Sequence, residues 1–327
     1  MPEVDPSRAP QAVPVSVEPG RFPIIDVPHD APEEVERAGT TVKFWLHERQ
    51  LLFKQARERT GEDWSEKITS ELAAEMGLPA VYVELAAWKG NAGIVTGSFL
   101  QPGEEFIEAQ ELRRRTEEKG TSHIKFEPSP LTLRSLFELL AVIQQPLRWP
   151  PPNELLTTAE TFIGYLVFDA WVCNEDRHDR NWGVIDVTCG SGSPHCYHLA
   201  PTFDHASSLG REFSDEQRTV MLSTGQVVDY VARCPSGVHP DAADTAGRAP
   251  APDVKPMPVH ELLRAIAKIH PGALRSWLSR LLDIPVAHVE RLYNRLPSNS
   301  ISPLSRTFAL ELMTVNRQRL EQLYSER

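Results

Sequence analysis

The chain has 327 residues, enough for one large or two modest domains, and its 41% hydrophobic and 24% charged residues are typical of globular proteins. Its formal net charge of -11 disfavours unaided binding to nucleic acid or to an anionic membrane, because contacts with phosphate groups need a basic surface. No apolar run reaches the roughly 18 residues that would span a bilayer. We therefore predict neither nucleic acid nor membrane as a direct partner.

The four cysteines form no CxxC pair, and no signal peptide stands at the N-terminus, which favours reduced thiols in a cytoplasmic protein. A cluster of Cys189, His195, Cys196 and His198 raises the alternative of a zinc site. Its spacing fits no common zinc module, and residues 190–194 are typical of a loop between strands. We therefore do not predict a zinc site there.

The N-terminal third of the chain divides into two parts. Residues 1–33 are rich in proline and lack a hydrophobic period, which predicts a disordered leader. Over residues 34–127, apolar alternation predicts two strands joined at 47–50, a helix over 64–76, and then two more strands. This order of elements predicts a small mixed lobe.

From residue 128 to residue 327 the pattern is mainly helical. An apolar stripe begins at Leu131, and a second, strongly apolar helix is predicted over 155–172, followed by a charged stretch and a short hairpin. Residues 235–258 are rich in Pro, Asp, Ala and Gly, which predicts a mobile loop before the last helices. A small lobe beside a larger one implies a cleft between them, a favoured place for a ligand.

The stretch NEDRHDRN carries the clearest chemical signal. It places Asp176 and Asn181 five residues apart directly after the apolar helix, and the hairpin returns Asp204 at the end of an apolar strand. Three converging oxygen donors suit Mg²⁺, and protein kinases divide their chemistry among an Asp and an Asn of one loop and a second Asp. The alternative, a solvated turn, is disfavoured because apolar residues bracket these acids, and burying acids without a cation is costly.

The segments NEDRHDRNWGVI and LAPTFDHASSLG resemble the catalytic and metal-binding segments of HipA-like kinases, which read N-x-D-R-H-x-x-N and L-A-P-x-x-D. The resemblance implies a two-lobed, protein-kinase-like α+β fold with ATP and Mg²⁺ as cofactors. It implies that Asp176 is the catalytic aspartate and that Asn181 and Asp204 bind the magnesium. His178, a candidate catalytic-loop residue, either shapes this loop or is a hydrogen-bonded structural histidine.

The resemblance extends upstream through GTTVKFWL and LLFKQAR, so that it covers residues from about 36 to 325. It implies that Lys54 reaches the ATP phosphates and that Glu66 pairs with this lysine. A strand-edge lysine and a first-turn acid favoured by the helix dipole are the alternatives. Gly39, Thr40 and Thr41 fall where the family has its phosphate-covering loop, although a full GxGxxG is missing. In some family members a hydroxyl on this loop is autophosphorylated; here a simple turn hydroxyl is the alternative.

The resemblance implies an enzyme, a HipA-like serine/threonine kinase that transfers the γ-phosphoryl group of ATP to a protein hydroxyl. One alternative keeps the fold and changes the acceptor to a lipid or a small molecule. Another is a non-catalytic nucleotide-binding regulator or toxin–antitoxin partner, and an antitoxin-like partner is implied by the resemblance alone. The arginine run at 113–115 is predicted to lie on a solvated helix face, with recruitment of an acidic substrate as the alternative.

Overall fold

The computed structural model describes eight ranges of the chain: residues 15–16, 19–31, 36–38, 41–46, 49–118, 130–188, 195–241 and 254–326. The described residues form a seven-stranded sheet, a three-stranded sheet and ten helices. None of the described helices is long and apolar enough to cross a membrane.

The seven-stranded sheet belongs to the smaller lobe, and its strands are β1 Val15–Ser16, β2 Ile24–Val27, β3 Glu36–Ala38, β4 Thr41–Leu46, β5 Leu51–Gln55, β6 Val83–Trp88 and β7 Asn91–Gly97. Their order across the sheet is β1-β2-β6-β7-β5-β4-β3. β4 and β5 pair antiparallel on either side of the predicted turn, and β6 and β7 form the second predicted pair. Alternate apolar residues of these strands, among them Phe44 and Phe53, are fully buried on one face.

The prediction of a disordered leader is wrong for its last part. β2 pairs in parallel with β6, and Phe22 just before it is 1% exposed in the main core. The physical reason is the run Phe-Pro-Ile-Ile-Asp-Val at 22–27, whose apolar side chains become buried when this strand pairs with β6. The composition of the surrounding residues does not indicate this distant pairing. Residues 1–14, 17–18 and 32–33 of the predicted leader lie outside the described residues.

The first helix, α1 (Glu62–Glu75), covers the predicted helix and lies between the sheet and the larger lobe. Its apolar face packs in the main core and consists of Trp64, Ile68 and Leu72. Glu66 on the same helix is buried as well. A buried acid in the second turn of a helix needs a partner, and that partner comes from the larger lobe, as described below.

A three-stranded sheet joins the two parts of the chain, with β8 (Glu104–Glu108), β9 (Gly183–Thr188) and β10 (His195–Leu199) in the order β10-β9-β8. β9 and β10 are the predicted hairpin, whereas β8 was not predicted. β8 and the following helix α2 (Ala109–Glu118) contact β9. The predicted lobe boundary at residue 127 therefore separates two strands of one sheet.

The larger lobe is helical: α3 Leu133–Leu140, α4 Thr158–Val172, α5 Asp215–Thr224, α6 Val227–Ala232, α7 Val259–Ile269, α8 Pro271–Leu282, α9 Val286–Asn294 and α10 Pro303–Ser325. α4 is the central element, contacted by α7, α8 and α10, and it begins with a capping box of Thr157 and Glu160. It ends at Cys173, whose φ of 54° is left-handed. Because nearly all of α4 is buried, it delivers the charged loop after it to a fixed place.

Most of the predicted mobile loop, residues 242–253, lies outside the described residues. Its described ends are packed, since Val238 is 2% exposed and accepts a backbone hydrogen bond of 2.7 Å from Met257. Cys173 and Cys234 are free and buried. Cys196 is disulfide-bonded, so the expectation of reduced thiols is wrong for this residue.

Candidate active site

Two cavities meet at the side chains of Lys54, Glu66 and Asp204, which line both of them. The larger cavity, of about 520 Å³, lies between the seven-stranded sheet and the three-stranded sheet. One part of its wall is apolar and includes Trp45, Leu52, Val83, Leu100, Phe106 and Phe203; another part is polar and includes Lys43, His178, Arg180 and Asn181. The smaller cavity, of about 200 Å³, contains Asp176.

Lys54 of β5 makes its ion pair with Asp204, at 3.0 Å between Nζ and Oδ1. Burial by itself would lower the pKa of Lys54, but the negative charges of Asp204 and Glu66 raise it overall. The same pair lowers the pKa of Asp204, chiefly through the charge of Lys54. Both groups are therefore charged at neutral pH, and the pair joins the sheet of the small lobe to the loop of the large one.

The predicted pairing of Glu66 with Lys54 is not an ion pair in the described structure, although the charge of Glu66 raises the pKa of Lys54. Among the described residues, the ion pair of Lys54 is with Asp204, and Glu66 lies beside the backbone N–H groups of His205 and Ala206, which act to lower its pKa. Burial and the nearby charge of Asp204 raise the pKa of Glu66 to about 7. Its Oε2 atom is buried without a hydrogen-bond partner in the described part of the chain. α1 thus touches the backbone beside Asp204, which no spacing in the sequence indicates.

The predicted catalytic loop follows α4 and brings Asp176, His178 and Asn181 together. The Asn181 amide Nδ2 donates to the Asp176 carboxylate at 3.0 Å and to its backbone carbonyl at 2.8 Å. The Nε2 of His178 lies 3.3 Å from the other carboxylate oxygen. Because the Nδ1 of His178 accepts the backbone N–H of Arg180 at 3.2 Å, a neutral His178 carries its proton on Nε2, the ring nitrogen nearer to Asp176. Asp176 is held from two sides.

Arg177 is the centre of the loop's framework, and our sequence reasoning missed it. Its guanidinium makes two bonds to Asp169 of α4, at 2.8 and 2.9 Å, and both side chains are 1–2% exposed. It also donates to the carbonyl of Asn181 at 2.8 Å and to the hydroxyl of Thr202 at 3.0 Å. A signal was present, because Asp169 is the one acid in the apolar stretch 161–172 and such an acid needs a buried cation.

Asp204 has left-handed backbone geometry, with φ of 60°. For a residue other than glycine this conformation costs on the order of 1 kcal/mol, so tertiary contacts must hold it. The next residue, His205, is buried, and its Nε2 lies 2.8 Å from the hydroxyl of Thr202. Burial, followed by the positive charge of Arg177, lowers the pKa of His205 well below its usual value. A neutral His205 therefore adds no charge beside Asp204.

Arg113 is not on a solvated face, as the sequence predicted, but is 5% exposed. Its Nη1 lies 2.6 Å from the Oδ2 of Asp179 in the predicted catalytic loop. The backbone N–H of Gln110 donates to the backbone carbonyl of Asp179 at 2.7 Å. Arg114 and Arg115 do lie at the surface, where both pair with Glu111. α2 is thus a support for the loop, because its arginine run has one member directed inward.

Three predicted residues cannot be placed in this site. Gly39 and Thr40 lie outside the described residues, and Thr41 is described only as the first residue of β4. In the described ranges, no group of three or more His, Cys, Asp or Glu side chains could hold a metal ion. For magnesium, the relevant donors include an amide: the Oδ1 of Asn181 and the carboxylate of Asp204 line the same cavity, and both are the hard oxygen ligands that this cation takes.

No family model and no curated protein sequence matches the chain. Among solved structures, it is similar to the Helicobacter pylori proinflammatory kinase CtkA, with a TM-score of 0.63 and 17% identity over 92% of this chain and 99% of that one. It is also similar to HipA of Shewanella oneidensis, in a complex with HipB and operator DNA, with a TM-score of 0.51 and 13% identity.

The second match covers 90% of this chain but 65% of the HipA chain. At such identities the likeness concerns the fold, and it agrees with the two lobes and the cleft described above. The chain therefore has a two-lobed α+β, kinase-like fold, as the resemblance in its sequence implied.

Proposed function

We propose that this chain is an ATP- and Mg²⁺-dependent kinase that transfers the γ-phosphoryl group to a serine or threonine hydroxyl of a protein. The observation that carries the proposal is the junction of the two cavities. There Lys54 and Asp204 form an ion pair 3.0 Å long between a cavity with an apolar wall and one that contains Asp176. A kinase needs this order: a base-binding surface, a phosphate-binding cation and an acceptor-side carboxylate.

The nucleotide would occupy the larger cavity. Its apolar wall suits a purine ring, and its volume of about 520 Å³ is in the range of small-molecule sites. Lys54 would leave Asp204 partly and contact the phosphates as a compact positive charge. Asn181 and Asp204 would hold Mg²⁺, which neutralises the charge that develops on the phosphoryl oxygens in such reactions.

Asp176 would accept the proton of the attacking hydroxyl. One of its carboxylate oxygens accepts a hydrogen bond from Asn181, and the other lies 3.3 Å from the Nε2 of His178, which fixes the direction of the carboxylate. Arg177 holds the loop that presents it, through Asp169 and the carbonyl of Asn181. Catalysis would then depend on positioning and electrostatics, as in other phosphoryl transfers.

The acceptor class and the partners rest on the resemblance to HipA-like kinases. A serine or threonine hydroxyl of a protein is proposed on that basis. An antitoxin-like partner stays a prediction, supported by the presence of HipB in the HipA structure.

The proposal is tested with the purified chain, labelled ATP and Mg²⁺, alone and with a host lysate. We expect labelled protein products with the native chain and at least a thousandfold less with Asp176→Asn, because the acceptor's proton loses its carboxylate. The Asp176→Asn variant should bind ATP within about threefold of the native chain, since Asp176 lines the acceptor-side cavity and not the larger one. Unchanged labelling by Asp176→Asn would refute the assignment, and ATP binding without any labelling would favour a nucleotide-binding regulator.

A further inference from the structure

The segment that follows Asp204, residues 205–211, lies between the two lobes and is held from both. On the large-lobe side, the N–H of Leu209 donates to the carbonyl of Val172 at the end of α4, at 2.9 Å. Gly210 has φ of 64°, and an added Cβ there would meet the ring of Phe308 at 2.4 Å. The far end of the segment is therefore fixed against α4 and α10.

On the small-lobe side, three side chains of α1 contact the same segment. Glu66 lies beside the backbone N–H groups of His205 and Ala206, as described above. Ser65 donates from its hydroxyl to the carbonyl of Ser208 at 3.0 Å. Glu62, one turn before Glu66, reaches the end of the segment. One face of a single helix therefore follows the whole segment.

The contact of Glu62 is with Arg211. The Nη1 of Arg211 lies 2.6 Å from the Oε1 of Glu62, and the two side chains are 11% and 14% exposed. Arg211 also returns to its own segment, because its Nη2 donates to the hydroxyl of Ser207 at 2.9 Å. Its carbonyl accepts the N–H of Gly61 at 3.2 Å, so backbone and side chain both bind the start of α1.

We propose that Glu62 is a positioning residue for Asp204: by binding Arg211 it holds residues 205–211 against α1 and thereby fixes the metal-binding carboxylate. The expected effect on metal binding rests on the proposed function, whereas the contact between Glu62 and Arg211 does not depend on it. Asp204 has left-handed φ of 60°, and Leu209 has φ of 62°. Left-handed backbone geometry at two non-glycine residues within six positions is unfavourable for the backbone by itself. The conformation of residues 204–211 therefore depends on tertiary contacts.

The burial of the Glu62–Arg211 pair distinguishes it from ordinary surface ion pairs. Exposed pairs contribute little, whereas loss of one partner of a largely buried pair leaves a charge without compensation. Glu62 also binds Arg57, whose side chain is 49% exposed, through a bond of 2.7 Å to Nε. Arg57 does not contact residues 205–211 in any bond of the described structure. Arg57→Gln is therefore a matched control, because it removes the second partner of Glu62 and leaves the Glu62–Arg211 pair in place.

The experiment compares the full-length native chain with Glu62→Gln, Arg211→Gln, the double variant and Arg57→Gln. Hydrogen exchange of the backbone amides of residues 205–211 is measured without nucleotide, and Mg²⁺·ATP titrations of activity follow. We expect exchange in this segment to rise about tenfold in both Glu62→Gln and Arg211→Gln, as is typical of a coupling between contacting sites, with Arg57→Gln within about twofold of native. Exchange in the double variant should be no faster than in either single variant, because both substitutions remove the same contact between Glu62 and Arg211.

The activity measurement should separate a change in the Mg²⁺ requirement from a loss of overall stability. We expect the Mg²⁺ concentration for half-maximal rate to rise about tenfold in Glu62→Gln, with melting within a few degrees of the native chain. Native exchange in residues 205–211 of Glu62→Gln, or an equal effect of Arg57→Gln, would overturn the proposal. If the native chain transfers no phosphoryl group, the proposed function fails, and the exchange data still decide whether Glu62 holds the segment.

Discussion

The ammonium group of Lys54 and the carboxylate of Asp204 lie 3.0 Å apart, although 150 residues separate them in the chain. We predict that Lys54→Met weakens ATP binding at least tenfold, because the phosphates lose their cation and Asp204 is left without compensation. Lys89→Met is the control, since Lys89 lies over the ring of Trp88 at an exposed turn. Nucleotide titration followed by fluorescence measures both; equal weakening in the two variants would contradict the role of Lys54.

The strand that carries Lys54 depends on a close backbone approach at Gly93. An added Cβ at Gly93 would meet the carbonyl oxygen of Lys54 at 2.4 Å, whereas at Gly97 the nearest atom, in Tyr82, is 4.0 Å away. We predict that Gly93→Ala costs about 1–3 kcal/mol of unfolding free energy and weakens ATP binding, because β5 must move. Gly97→Ala, at the other end of β7, should leave the unfolding free energy nearly unchanged. Urea unfolding and nucleotide titration test this, and the reverse order of effects would refute it.

The buried pair of Arg177 and Asp169 supports the catalytic loop. We predict that Arg177→Met lowers the free energy of unfolding by about 3–5 kcal/mol, because Asp169 stays buried and negative without its partner. The double variant Arg177→Met with Asp169→Leu should recover much of the loss, since it removes both charges. Urea unfolding of the three proteins measures the effect. A double variant no more stable than Arg177→Met would show that the loss comes from the hydrogen bonds of Arg177 to Asn181 and Thr202, which both variants lack.

Glu175 predicts a pH dependence of stability. Burial, and then the charge of Glu212, raise the pKa of this half-buried carboxyl to about 7 from a usual 4.5. Between these values the unfolded chain has lost its proton while the folded chain keeps it, so this residue makes stability fall as pH rises from about 4.5 to 7. We predict that Glu175→Gln is more stable than the native chain at pH 8, by on the order of 1 kcal/mol after allowance for its partial exposure.

The difference between Glu175→Gln and the native chain should vanish near pH 4, where Glu175 is protonated in both states. Thermal unfolding from pH 4 to 8 measures it, with Glu321→Gln, a change at an exposed carboxyl, as the control. A constant difference across this range would show that the substitution acts through packing and not through the charge. A larger difference at pH 4 than at pH 8 would contradict the sign of the shift.

The elements that sequence reasoning recovered are those with strong local periodicity. α1, α4 and the hairpin of β9 and β10 follow apolar spacing that depends only on neighbouring residues. β2 and β8 were missed because each is a short strand whose partner is distant in the chain, β6 for one and β9 for the other. The helices α5 and α6 were missed as well; only Arg218 of α5 and two side chains of α6 are buried, so their apolar stripe is weak.

Within the candidate site, the sequence by itself indicated which residues are candidates for the chemistry. Asp176 and Asn181 stand in one short motif and Asp204 in a second, because a loop that presents a carboxylate and an amide needs only local chain geometry. The tertiary structure decided their partners: Lys54 contacts Asp204, Glu66 contacts the backbone beside it, and Arg113 supports the loop from below. Such contacts form between elements far apart in the chain, and their identity depends on how the two lobes pack, which no local spacing encodes.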